Sequence, residues 1–349
     1  MDNLNKDNKR DFLITFSSAS KSYVINELHD ILVTNFKMKD IAEGIMLIEN
    51  DTRFEEIANI FKENSPVFIR HTCPCQIEVP AKISIEDIAS LVEKANEIIA
   101  YLDKNKTFSV QTRITVQDDK PPYGNFDINK ALSDIFISNG FSLDVRKPEQ
   151  VISVLCTSEK IYIGVSNVED NLSDWAGGTR RFSREDGQLS RSEFKLLEAI
   201  EVFKLKLPAE GRALDLGASP GGWTRVLLNK GLRIVSVDPA LLDERIIRDP
   251  GVVHYRGKAQ DYFQTQKDKF DIIVNDMRMD VSESSEMMFI ARDFLKSNGF
   301  AIITLKLLTT GMQKTVKKAL KELSEGYDII GARQLFHNRN EVTIAMKKK

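Results

Sequence analysis

The chain has 349 residues, 42% of them apolar, and a formal net charge of −2, which suits two or three globular domains and excludes a disordered or fibrous chain. No apolar run approaches the roughly 18 to 20 residues that span a bilayer, and the opening MDNLNKDNKRDFL lacks the apolar centre of a signal peptide. A cytoplasmic protein with no membrane partner is expected.

The first 80 residues alternate strand and helix patterns: DFLITFSS, SKSYVINELHDILVTNF, DIAEGIMLIEN, TRFEEIANIFKEN and PVFIRHTCPCQIEV. Ile85, Ile88, Leu91, Val92, Ala95, Ile98, Ile99 and Leu102 then recur at helical spacing and predict a helix at 84–103. A further β/α segment follows, with TFSVQTRITV, the helix FDINKALSDIFISNG closed by Gly140, and two strands in VISVLCTSEKIYIGVS. The expected organisation is a ferredoxin-like α+β domain at 1–103, a second α+β domain at 104–172 and a third domain at 173–349. His71, Cys73 and Cys75 crowd together in RHTCPCQ, but with no second pair of ligands nearby they read as structural, and no metal is implied. Cys73, Cys75 and Cys156 are an odd set that fits reduced thiols better than a disulfide framework.

Beyond residue 173 the texture changes to a polar connector, SDWAGGTRRFSREDGQLS, and the charge balance reverses. Residues 1–170 carry 19 Lys and Arg against 27 Asp and Glu, whereas residues 171–349 carry 30 against 24. The basic half can attract a polyanion, although KTVKKALK and the KKK tail fit an ordinary solvated surface equally well. Its strands are RALDLGA, RIVSVDP, VVHYRG, FDIIVNDM, GFAIITLK, YDIIGARQLF and EVTIAMK. Nearly continuous apolar strands alternating with helices predict a parallel sheet covered on both faces. Only HNRN separates the last two strands, so they form an antiparallel hairpin at the end of that sheet.

In ALDLGASPGGWTRVLL an apolar strand runs through a turn containing Gly217, Gly221 and Gly222 into a helix, which permits close backbone approach by a ligand. Asp238 ends the second strand, where ribose hydroxyls are held in nucleotide sites of this architecture. The spacing G-x-x-x-G-G departs from G-x-G-x-x-G and so weakens a nicotinamide reading. By analogy of fold, a terminal hairpin on a seven-stranded sheet points to S-adenosylmethionine. Trp175 and Trp223 read as packing residues, with the better functional case for Trp223 because it opens the loop helix.

Ligands of open parallel sheets sit beyond the carboxyl ends of the strands. Asp276 ends DIIVNDM, Lys306 ends AIITLK, and Glu341 begins an antiparallel strand, so all three reach that edge, while Lys195 lies on the helix RSEFKLLEAIEVF before the sheet. A neutral lysine amine there can take the proton of a weakly acidic hydroxyl as it attacks a methyl group. Methylation at pyrimidine carbon 5 needs a cysteine nucleophile, and residues 173–349 contain none. Amino-group methylation commonly uses an Asn/Asp-Pro-Pro-aromatic motif where this chain reads NDMRMD, so hydroxyl methylation fits best.

Residues 190–349 resemble the FtsJ-type ribosomal RNA ribose 2′-O-methyltransferases, matching in order at SRSEFKLLEA, LDLGASPGGWT, SVDP, VNDM, TLKLL and ARQLFHNRNEVTIAM. The resemblance implies a Rossmann-like seven-stranded methyltransferase sheet and a catalytic tetrad of Lys195, Asp276, Lys306 and Glu341, with Lys306 as proton acceptor. It implies S-adenosylmethionine contacts at Ser190, Gly217, Ser219, Pro220, Gly221, Gly222, Trp223, Asp238 and Asp276. TFSVQTRI, DINKALSDIF and LDVRKPEQVISVLCTSEKIYIGVSN look like THUMP segments, which implies an RNA-binding module at 104–172. The implied partner is RNA, 23S ribosomal RNA or a pre-ribosomal particle. The family places an acid after the third strand to contact adenine, whereas YRGKAQDYF offers Lys258 there, with Asp261 three residues late. Two rivals remain: a non-catalytic RNA-binding or ribosome-assembly factor retaining the fold, and a nicotinamide-dependent oxidoreductase.

Overall fold

The stretch FLITF forms a strand whose five residues are all buried, because both its faces are covered. In the computed structural model, which describes residues 10–116, 120–183, 186–307 and 311–349, the chain divides into two compact units, Met1–Thr179 and Arg180–Lys349. The opening MDNLNKDNK, Arg184 and Glu185 of the connector and Leu308 of TLKLL lie outside the described residues.

The first unit begins with β1 (Phe12–Phe16), α1 (Lys21–Ile31), β2 (Phe36–Ala42), β3 (Ile45–Asn50), α2 (Phe54–Asn64) and β4 (Ile69–Pro74). These strands make an antiparallel sheet in the order β2-β3-β1-β4. Period two sends Phe12 to one face, where its ring meets Phe54 and Phe61 of α2 at 6.4 and 6.1 Å, and Leu13 to the other. There Leu13 shares a core with Cys73, Cys75, Leu155 and Tyr162.

Next come β5 (Ile77–Pro80), α3 (Glu86–Glu93), α4 (Ala95–Ile99), β6 (Phe108–Ile114), α5 (Asn125–Ser138), β7 (Gln150–Cys156) and β8 (Lys160–Asn167). The helix expected at 84–103 is split into two pieces at Lys94, whose N–H turns back to Leu91 O. The second sheet runs β5-β8-β7-β6, with only the β6–β7 pair parallel. Its core joins Ile77, Val79, Leu91 and Ile98 to Phe108, Phe136 and Ile152, so it draws on residues well upstream of position 104.

His71 is only 2% exposed and neither ring nitrogen finds a hydrogen-bond partner among the described residues. Burial, aided by the Arg113 cation, pushes its pKa down to about 3, while burial pushes the Cys73 thiol up to about 12 against a bond from Ser153. Both groups are therefore neutral packing residues, and among the described residues no group of three His, Cys, Asp or Glu is placed to hold a metal. The depressed imidazole has a consequence for stability. The unfolded chain takes up a proton near pH 6.5 that the fold refuses down to about pH 3, so this contribution is intact above pH 6.5 and is lost as pH falls. At about 1.4 kcal/mol per pH unit the loss reaches roughly 5 kcal/mol. Denaturant unfolding of wild type and His71→Leu between pH 7.5 and 4.5 should show a smaller pH dependence in the variant, and parallel curves would refute the assignment.

The second unit contains α6 (Glu193–Val202), β9 (Gly211–Leu216), α7 (Gly222–Leu228), β10 (Leu232–Val237), α8 (Glu244–Ile247), β11 (Val252–Tyr255), α9 (Ala259–Thr265), β12 (Phe270–Asn275), α10 (Val281–Arg292), β13 (Leu295–Lys306), α11 (Met312–Leu323), β14 (Tyr327–Arg333) and β15 (Glu341–Lys348). Its sheet has the order β11-β10-β9-β12-β13-β15-β14. The pairs from β11 to β13 are parallel, and β15 enters antiparallel between β13 and β14, as the short HNRN connection requires. This is the Rossmann-like seven-stranded sheet with a terminal hairpin. Leu214, Ile272, Val274, Ile302, Ile303 and Ile344 are fully buried in its middle, which fits strands covered on both faces. Among the described residues no helix is long and apolar enough to cross a membrane.

Candidate active site

The loop after β9 has to bend sharply to clear the loop after β12. Gly217 sits at φ +75°, and a Cβ there would come within 2.5 Å of Met277 Cγ and 3.1 Å of Met277 Cα, so both the conformation and the contact call for glycine. Asp238, just past β10, binds two loops at once: one carboxylate oxygen accepts from Ser219 N at 3.0 Å and the other from Ala240 N at 2.8 Å. Between these loops and the neighbouring strand ends lies a cavity of about 570 Å³, within the range of small-ligand sites.

The tetrad expected from sequence comes together on the wall of this cavity. Register explains it: β13 and β15 are antiparallel and place Lys306 opposite Glu341, while Asp276 follows directly on Asn275 at the end of the adjacent β12. Lys195 reaches in from α6. Its Nζ lies 2.6 Å from Glu341 Oε2 and 3.4 Å from Asp276 Oδ1. Lys306 Nζ lies 3.1 Å from Glu341 Oε1 and donates to Asp276 Oδ1. All four side chains are 15 to 19% exposed, so their charges attract one another through little intervening water. Burial lowers the Lys195 pKa, but Asp276 and Glu341 together outweigh burial and hold the ammonium above its ordinary value. Lys195 is thus a fixed cation.

Of the residues expected to touch a cofactor, Gly217, Ser219, Trp223, Asp238 and Asp276 line the cavity, whereas Ser190, Pro220, Gly221 and Gly222 do not reach its wall. Ser190 instead lies against Gly222, where a Cβ would fall 2.3 Å from its Oγ, and its Oγ hydrogen-bonds Ser192 Oγ at 2.6 Å. The seryl turn therefore covers the first residue of α7. Trp223 is 3% exposed and its Nε1 donates to Ser192 O at 2.8 Å, so it is chiefly a packing residue of the core below the loop.

Residues 188–329 match the family described as FtsJ-like methyltransferase. They form an FtsJ-like methyltransferase domain. Among curated relatives, the ribosomal RNA large subunit methyltransferase M of Shewanella denitrificans is 32% identical over 200 residues, 53% of this chain and 53% of that protein. The protein of the same name from Sodalis glossinidius is 30% identical over 58% of each chain. An uncharacterized protein of Methanocaldococcus jannaschii is 29% identical over 52% of each. The matches thus span between 52 and 58% of the length of these curated relatives.

Some residues in or behind the cavity wall are not singled out by the sequence, even where they lie inside a matching stretch. Asp215 lies inside the apolar strand β9, yet it borders the cavity, where Thr224 Oγ1 donates to it at 2.6 Å. Burial first, then the nearby Asp276 and Asp238 charges, push its pKa up to about 7 against the Thr224 bonds. Gly257, Lys258 and Gln260 also line the cavity, with Lys258 standing at the N-cap of α9 where an acid was the family expectation. Thr304, fully buried in β13, accepts from Lys306 Nζ at 2.7 Å and donates to Asp276. In ITLK a threonine passes for an ordinary strand residue, and only its spacing of two from Lys306 hints that both face the same side.

Proposed function

We propose that this chain transfers a methyl group from S-adenosylmethionine to a ribose 2′-hydroxyl of RNA, with large-subunit ribosomal RNA as substrate. The observation that carries the reading is the pairing of Lys306 with Asp276 and Glu341 on the wall of the cavity that Asp238 and the Gly217 turn also border. The cofactor, when bound, supplies an electrophilic methyl group on a sulfonium, and the wall residues suit it. Asp238 has lone pairs left for a ribose diol beyond its two backbone bonds, and Asp215 and Asp276 present acids to a cation. A nicotinamide dinucleotide would want its pyrophosphate on an open helix start, and here Ser190 covers Gly222 at the start of α7.

In this reading Lys306 Nζ accepts the proton of the 2′-hydroxyl. Asp276 and Glu341 orient the amine and neutralise the ammonium that forms, and Lys195 holds both carboxylates in place. Gly257, Lys258 and Gln260 line the cavity, and main-chain groups there with Gln260 would read the adenine edge in place of an acid. The α+β segments at 104–172 are assigned to RNA binding as a THUMP-like module.

The test is methyl transfer from labelled cofactor to ribosomal RNA of cells lacking this protein, followed by mapping of 2′-O-methyl groups. One restored 2′-O-methyl site supports the reading. Cofactor and RNA binding without transfer to any precursor would instead identify a non-catalytic assembly factor. Because Asp215 titrates near pH 7 beside the cavity, a bound cation should draw it towards the carboxylate form. Calorimetry in buffers of different ionisation enthalpy should therefore show proton release on binding S-adenosylmethionine at pH 7, less with the uncharged-sulfur product, and tighter cofactor binding as pH rises through 7. Equal proton release with the two ligands would refute the coupling.

A further inference from the structure

The geometry points to Thr304 as a positioning residue for the proton acceptor, a role that rests on the proposed reading of Lys306. Three features of the site converge on it. Thr304 is fully buried in β13, where it stands opposite Thr343 of β15 and one residue beyond the last pair with β12, Asn275 with Ile303. Its β-branched side chain has few rotamers, so the hydroxyl oxygen is held by the strand itself. And that oxygen stands between two members of the tetrad, accepting from Lys306 Nζ at 2.7 Å while its own hydrogen goes to Asp276 Oδ1.

A hydroxyl has one donor and two acceptor lone pairs, so these two bonds can exist together only with Thr304 donating to the carboxylate and accepting from the lysine. The protonated Lys306 has three N–H groups and three acceptors around it: Asp276, Glu341 and Thr304. Once the amine is neutral it has two N–H groups and one lone pair. Which direction the lone pair takes depends on which two acceptors keep their hydrogens. A carboxylate favours the ammonium by charge, whereas a hydroxyl accepts an N–H without adding any charge. Thr304 can thus fix one N–H of the neutral amine and leave the lone pair to turn towards the cavity. A valine of nearly the same shape would let the amine rotate among the two carboxylates, with the reactive orientation less populated.

The groups facing Lys306 are Asp276 after β12, Glu341 on β15, Lys195 on α6 and Thr304 on β13 itself. Asp215 of β9 also borders the cavity and feels the Asp276 charge. Only Thr304 is uncharged among them, and nothing about methyl transfer requires a hydroxyl at this point except the orientation of the amine.

The experiment is steady-state methyl transfer by the full chain with wild type, Thr304→Val, Thr304→Ala, Thr304→Ser and Lys306→Met in parallel, together with thermal melting and cofactor affinity. Loss of one oriented hydrogen bond should lower kcat about 10-fold in the Val and Ala variants. Their KM values for cofactor and RNA should stay at the wild-type level, and Thr304→Ser should recover kcat to within about 2-fold. If Val or Ala transfers methyl groups at the wild-type rate, or if Ser is as slow as Val, the role is overturned. A structural contribution alone would move melting and KM along with kcat, and that pattern also overturns it. The Ala variant keeps the test available if Val is too strained to fold. An active Lys306→Met would instead sink the proposed base, so the two failures are separable.

Discussion

Lys306→Met should lower the rate of methyl transfer by about 10³-fold, inside the range that general-base catalysis commonly supplies. The side chain length is kept, while the amine that contacts Asp276, Glu341 and Thr304 is lost. The more telling variant is Lys306→Arg. A guanidinium keeps the positive charge beside both carboxylates but does not give up a proton at any working pH, so it cannot serve as an acceptor. If Lys306 acts as a base, Arg should be as slow as Met. If it acts only by attracting a partially negative oxygen, Arg should recover much of the rate. Single-turnover measurements at saturating cofactor decide between these outcomes, and an Arg variant within about 10-fold of wild type would refute the proton-acceptor role. Removal of the lysine also leaves Lys195 to balance two carboxylates alone at a site only 15 to 19% exposed, so some loss of stability should accompany the loss of rate.

What the sequence made legible follows from where physical constraints are local. The seven-stranded sheet could be read because its strands are short apolar runs, and the hairpin because HNRN is too short for a crossover. The meeting of Lys306 and Glu341 followed from the same two facts, since an antiparallel last strand must start at the edge where the others end. Lys195 could be placed only by resemblance, because nothing in RSEFKLLEAIEVF says which neighbour its helix packs against. The packing of Ser190 against Gly222, the position of Pro220 and Gly221 off the cavity wall, and the approach of Met277 to Gly217 depend on how loops fold over one another. Such contacts join residues dozens of positions apart and leave no periodic trace. Thr304 and Asp215 escaped for a different reason: each lies within an apolar strand, where a lone polar residue reads as a tolerated exception until its hydrogen-bond partners are known.

The Asp238 end of the cavity, proposed to hold the cofactor, yields the second large effect. Asp238→Ala should weaken S-adenosylmethionine binding by roughly 10- to 100-fold, the equivalent of one or two hydrogen bonds to a charged acceptor. The carboxylate has two tasks that alanine abolishes together. It ties Ser219 N at 3.0 Å and Ala240 N at 2.8 Å, which sets the spacing of the two loops, and in the proposed reading it also offers its remaining lone pairs to the ribose diol. Asp238→Asn separates them. The amide oxygen can still accept one backbone N–H, but its NH2 group faces the other donor, so one loop is released and about half of the effect should appear. Neither change touches the tetrad, because Asp238 makes no bond to Lys195, Asp276, Lys306 or Glu341 among the described residues. The loss should accordingly fall on cofactor affinity, measured by calorimetry, while the single-turnover rate at saturating cofactor stays within about 3-fold of wild type. A Asp238→Ala protein that binds cofactor normally would remove the ribose from this end of the cavity, and one that binds normally but transfers slowly would move Asp238 into the chemistry.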